Sequence, residues 1–132
     1  MNKDNFVRTD PNLSIGTSLI INSPRSVGDF LSRIWANYGP PDGIQFEGFD
    51  YTFKHVPSGL IFTAYSAGSG PAYGGKPEDK EKLMSIIDQF EALLESTKPA
   101  DCDIEYDTDF GKVRAGAKGG EPFEVSVEEE GE

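Results

Sequence analysis

The sequence predicts an α+β domain: an antiparallel or mixed sheet of about six strands with two packed helices, in the order βαββαβββ. Three observations lead there. Two stretches repeat apolar residues at i, i+3, i+4 and i+7, the spacing of one helix face. Several other stretches alternate apolar and polar residues, the spacing of a half-buried strand. A short turn signal, Pro-Ser-Gly, sits between two alternating stretches and favours antiparallel neighbours, and Pro-Pro-Asp-Gly makes the turn before the first of them. At 132 residues the chain is long enough for one domain with one core, and residues 1–132 are read as a single domain.

The elements follow in order. Residues 1 to 14 are polar and read as loose. "IGTSLIIN", 15 to 22, reads as a short β-branched strand. "SPRSVGDFLSRIWANYG" reads as a helix, with Ser23 as N-cap and Pro24 in the first helical position; Ser26 and Asp29 offer a later start. Its apolar face is Val27, Phe30, Leu31, Ile34, Trp35 and Tyr38, and Gly39 and Pro40 end it. In "GIQFEGFDYTFKHV" the alternation changes phase at Gly48, where a β-bulge would absorb the shift. "LIFTAYSA" returns as the next strand. "PEDKEKLMSIIDQFEALLEST" is the second helix, with Leu83, Ile86, Ile87, Phe90 and Leu94 on one stripe and Leu93 beside it. From Cys102 onward the chain reads as a three-strand meander, with residues 129–132 as a frayed tail.

Composition narrows the chemistry. Cys102 is the only cysteine and His55 the only histidine, so an internal disulfide and a multi-Cys or multi-His metal centre are excluded. The start lacks the apolar core of a signal peptide, and nothing approaches the roughly 20 apolar residues of a membrane span, so a cytoplasmic protein is expected. Net charge is −11, and eleven of the 23 acids fall in residues 101 to 132 against three bases. Such a field repels nucleic acid and anionic membranes and attracts basic partners.

"YSAGSGPAYGGKP", 65 to 77, contains G-x-x-x-x-G-K from Gly70. A phosphate loop needs a Ser or Thr next, to hold magnesium, and free backbone N–H groups. Pro77 has neither hydroxyl nor N–H, and Pro71 removes another amide. No nucleotide or other cofactor is expected. The stretch reads as a strand-to-helix connection, with Tyr65 and Tyr73 as candidate docking anchors, since tyrosine gives contact area at low entropic cost.

"DCDIEYDTD" carries more information. Asp101, Asp103, Glu105, Asp107 and Asp109 alternate with Cys102, Ile104, Tyr106 and Thr108. A strand would turn the carboxylates to one face, about 7 Å apart. Val113, Ala115 and Ala117 then alternate with basic residues, and Phe123, Val125 and Val127 with Glu124, Ser126 and Glu128. If the apolar set points inward throughout, one face is acid, base, acid across three strands. Cross-strand ion pairs account for part of it, and a basic partner would account for the surplus. A calcium loop is disfavoured, since the required glycine and the bidentate Glu are missing in every register. Catalysis is not expected: Cys102 belongs to the inward set, His55 sits beside a turn as an ordinary strand-end or surface residue, and the acids lie on an open face.

The stripe "DCDIEYDTD", the tail "EVSVEEEGE" and the loop "SAGSGPAYGG", in a small acidic α+β chain, resemble bacterial immunity proteins of contact-dependent and polymorphic toxin systems. The resemblance implies a protein made beside a toxin that binds the toxin domain and blocks its active site or excludes substrate. Many such toxins are nucleases with basic clefts. The expected partner-binding residues are Asp101, Asp103, Glu105, Asp107, Asp109, Glu124 and Glu128, with Tyr65 and Tyr73 as anchors; no nucleic acid, membrane or metal is expected to bind. The alternatives are a small ligand-binding or enzymatic domain using the glycine loop 68–76, and an acidic nucleic-acid mimic.

Overall fold

Two helices and nine strands in two antiparallel sheets form the described part of the chain, an α+β architecture. The structure is a computed structural model that describes residues 3–14, 17–68 and 70–127. The first sheet runs β1(Phe6–Arg8), β4(Gly48–His55), β5(Ile61–Ala67), β6(Gly70–Gly75), β2(Ser18–Asn22), and β3(Gly43–Gln45) pairs with β4 beside β1. The second is the expected meander, β7(Cys102–Thr108), β8(Gly111–Lys118), β9(Glu121–Val127). A single sheet is thus replaced by two. They meet where the Glu47 N–H donates to the Asp107 carbonyl at 2.7 Å, a link rather than a ladder.

The helix α1(Val27–Tyr38) starts later than Pro24 suggests. Ser26 is the N-cap, in extended conformation, and its side chain accepts from the Asp29 N–H, so the alternative start is the one used. The helix lies between the two sheets. Phe30 meets Phe49 and Tyr73 of the first sheet, with ring centroids 6.2 and 5.5 Å away. On its other side Gly28 rests on the backbone of β8 and β9. A Cβ there would stand 2.4 Å from the Phe123 carbonyl oxygen and 2.7 Å from that of Gly116. α2(Lys80–Glu95) buries Leu83, Ile86, Ile87, Phe90, Leu93 and Leu94, the predicted stripe. No helix among the described residues is long and apolar enough to cross a membrane.

Three local expectations are corrected. Residues 3 to 14 are not loose. Phe6 is buried against Phe62 and Phe90, and Arg8 donates to the Tyr38 carbonyl at 2.9 Å and pairs with Asp42 at 2.6 Å, which ties β1 to the end of α1. The phase change at Gly48 is a hairpin rather than a bulge: Gln45 pairs with Gly48 across a two-residue turn, and Glu47 there has φ +69°. The glycine-rich stretch is not a connection. It forms β6, with Ala67 paired to Gly70 and Ala72 to Tyr65. Ser69 and residues 129–132, part of the loop and tail readings, lie outside the described residues, as do Ile15 and Gly16 of the predicted first strand.

Candidate functional site

The hairpin registers decide which residues share the open face of the second sheet. Thr108 pairs with Gly111 across a two-residue turn, which sets Asp107 opposite Lys112, Glu105 opposite Arg114 and Asp103 opposite Gly116. Directly paired residues lie on the same face. Inward from β7 point Ile104 and Tyr106, and from β8 Val113, Ala115 and Ala117, all packed toward α1. Asp103, Glu105 and Asp107 therefore stand in a row on the outer face, as the alternation predicts, and all three are exposed.

The third strand reverses the expectation. Gly119 and Gly120, both at positive φ (+63° and +84°), close a two-residue turn that only residues free of Cβ strain adopt readily. That turn pairs Lys118 with Glu121, Gly116 with Phe123 and Arg114 with Val125. Phe123 and Val125 consequently join the outer face. Glu124, opposite Ala115, joins the inner one, close enough to Tyr106 that its charge, added to burial, holds that phenol up at about 12. The outer face is acid on β7, base on β8 and apolar on β9. Glu124 is not part of the carboxylate row, and Glu128 lies outside the described residues.

The row is also better neutralised than the sequence suggests. Arg114 pairs with both carboxylate oxygens of Asp103, and Lys112 pairs with Asp107 at 3.1 Å. The hydrogen bonds Arg114 donates to Asp103, then the charges of Asp103 and Glu105, raise the Arg114 pKa. Asp101 precedes the strand and accepts the Gly119 N–H at 2.8 Å, holding the β8–β9 turn. Asp109 is exposed in the β7–β8 turn, beside Phe110, which is 98% exposed. These ion pairs are on the surface, where each contributes at most about 1 kcal/mol to stability. Their side chains stay accessible, Asp107 at 66% and Asp103 at 45%.

The tyrosine anchors are corrected as well. Tyr73 is fully buried, its ring edge-on to Phe30 and Phe90 and its hydroxyl donating to Glu91 at 2.5 Å, so it meets no partner. Tyr65 is half-buried on the outer face of the first sheet, paired with Asp50 and Ala72, on a different sheet from the carboxylate row. Sequence reasoning missed Phe110, Phe123 and Val125 as outward residues. The two-residue Gly-Gly turn is the signal for the last two: once Lys118 is placed outward, Glu121, Phe123 and Val125 follow.

Neither Cys102 nor His55 is poised as a nucleophile or base. Burial, with nearby Asp103 and Asp101, pushes the Cys102 thiol up to about 11 despite a hydrogen bond from Ala117, so it stays protonated at neutral pH. His55 is buried rather than surface-exposed. Its ring lies tilted against Phe6 with centroids 5.3 Å apart, it pairs through Nδ1 with the Ser58 hydroxyl at 2.8 Å, and burial lowers its pKa. The two sit on different sheets. Comparison with family profiles, characterised proteins and solved structures finds no match to this chain.

Proposed function

We propose that this chain is an immunity-type inhibitor that docks the outer face of its second sheet on a basic toxin domain. The observation that carries the reading is the exposed row Asp103, Glu105 and Asp107, separated by the basic strand β8 from an outward apolar strip of Phe123 and Val125 and ending near the exposed Phe110. Protein interfaces combine a desolvated apolar centre with complementary charge at the rim. The carboxylates would speed encounter with a cationic surface, and Phe110 would set residence time. Arg114 and Lys112 already engage two of the acids, so a basic partner exchanges with existing pairs rather than filling an empty row. The bases on β8 also weaken the nucleic-acid-mimic reading, which needs uninterrupted negative charge.

The reading requires a toxin domain encoded beside this chain, and the test uses that domain. Replacing Asp103, Glu105 and Asp107 together by Lys is expected to weaken binding about 100-fold and to lower its salt dependence, with the thermal midpoint lowered by only a few degrees because the lost pairs and the new like-charge contacts with Arg114 and Lys112 are exposed. Phe110→Ala is expected to cost about tenfold, mostly in dissociation rate. Co-expressed wild-type chain should protect cells from the toxin and the triple variant should not. Unaltered affinity in the triple variant, or the absence of any toxin gene beside this one, would remove the reading.

A further inference from the structure

A cleft of about 430 Å³ lies over the outer face of the first sheet, on a different sheet from the carboxylate row. Its floor is built by register: Asp50 pairs with Tyr65, Thr63 with Gly74, and Gly43 with Asp50, so their side chains share one face. Pro11, Ser14, Thr17 and Leu19 wall it, together with Gln45. The size falls within the range of small-molecule sites.

Two groups in this cleft point to a ligand. Thr63 is 92% buried, and its hydroxyl has no hydrogen-bond partner among the described residues. Such a buried orphan is uncommon; the oxygen is closed off from solvent, and a turn of its side chain toward the cleft would pair it with a ligand or a bound water. Asp50 is half-buried and its carboxylate has no ion pair or hydrogen bond among the described residues; burial, then the charge of Asp42, raises its pKa. Asp42 is itself engaged by Arg8 and by the Thr52 N–H. A half-buried carboxylate without a counter-ion is destabilising unless something cationic supplies one.

We propose that the cleft binds a small molecule bearing an alkylammonium or guanidinium group, with the Asp50 carboxylate as its counter-ion and the Thr63 and Tyr65 hydroxyls and the Gln45 amide as further partners. The chemistry selects this class. An anion is repelled by Asp50 and by the net charge of −11. A divalent metal wants several oxygen ligands, commonly more than one carboxylate, and Asp50 is the only acid among the described lining residues. A monocation needs one carboxylate and a few acceptors, and Leu19, Pro11 and the Tyr65 ring are placed to cover an alkyl stem. The proposal is independent of the docking face, since no residue is shared.

Amide-resolved NMR titration tests it with putrescine and agmatine, with the uncharged 1,4-butanediol as isostere and Nα-acetyl-lysine methylamide standing for a protein side chain. The expected result is saturable shifts at residues 50, 63, 65 and 74 with the amines and none with the diol. Tighter binding by putrescine or agmatine assigns a free small molecule. Tighter binding by the blocked lysine overturns the small-molecule claim in favour of a partner's side chain. Asp50→Asn is expected to weaken amine binding at least tenfold without lowering the thermal midpoint, and Tyr65→Phe to weaken it two- to fivefold. Equal response to diol and diamine, shifts confined to residues 103 to 107, or unchanged binding in Asp50→Asn with Tyr65→Phe would overturn the proposal.

Discussion

Phe90→Ala is expected to lower the unfolding free energy by about 4 kcal/mol and the thermal midpoint by roughly 15 °C. Phe90 is fully buried on α2, and its ring lies 5.0 Å from Phe53, 5.1 Å from Phe6, 5.4 Å from Phe62, 5.9 Å from Tyr73 and 6.3 Å from Tyr38. It is the ring through which α2, the last residue of α1 and four strands meet. Truncation removes its transfer free energy and leaves a cavity walled by stiff rings on a sheet, which relax little. Edge-to-face ring pairs add about 0.5–1.5 kcal/mol each beyond area. Domains of this size are stable by only about 5–15 kcal/mol, so the variant keeps a small reserve. Phe90→Leu, which refills much of the volume, is expected to lose about 1.5 kcal/mol. Urea titration with an unchanged slope checks both, and a loss under about 1 kcal/mol for Phe90→Ala would show that the ring cluster is not the keystone of the core.

Arg25→Ala is the second large effect, expected at about 3 kcal/mol. Arg25 is 10% exposed in its side chain. It bonds Glu91 at 2.9 Å, Asp29 at 3.0 Å and Glu95 at 3.0 Å, and so ties the start of α1 to the end of α2. Glu91 also accepts from the Ser23 and Tyr73 hydroxyls. Without the guanidinium its carboxylate remains four-fifths covered with no cation beside it, and breaking one side of such a pair costs more than the pair contributes. Glu95 is mostly exposed and adds little. Lys cannot reproduce the three-way fork, so Arg25→Lys is expected to recover under half of the loss. The network also carries a pH signature. Burial alone would raise Asp29, but its hydrogen bonds to Arg33 and Arg25 outweigh burial and lower its pKa below 3.8. A depressed carboxylate contributes stability above its unfolded pKa and loses it as pH falls through the folded value. Wild-type protein should therefore lose stability below about pH 4, and Arg25→Ala should lose less over the same interval, because Asp29 keeps only Arg33. Thermal midpoints at pH 7 and pH 3 check this; an equal drop in both proteins would detach Arg25 from the acid transition.

The helices were legible because their periodicity and the energetics agree: the residues spaced by three and four are the ones that meet the rings of the first sheet. The meander was legible for the same reason at period two. β6 was hidden because "GPAYGG" offers one large side chain and a proline where a strand normally shows branched residues; its burial comes from neighbours on both sides, which no local pattern reports. β1 was hidden because three residues carry no period, and a single Phe6 anchors it. The facing of Phe123 and Glu124 was read from hydrophobicity when turn geometry decides it: a two-residue Gly-Gly turn fixes the register, and the register overrides the preference of a valine or a glutamate on an edge strand. The cleft over Asp50 gathers residues from the turn at Pro11–Ser14 and from β2, β3, β4, β5 and β6, so no single stretch announces it.

Chemical-shift mapping with the proposed toxin partner bears most directly on the docking face. If the proposed reading holds, saturation with a toxin domain found beside this chain should shift or broaden the amides of 103 to 110, 121 and 123 to 125, while those of α2 and of β1 stay in place. Perturbation centred on α2 or on the first sheet, with the Asp103–Asp107 row unmoved, would contradict the proposal that this face binds the toxin.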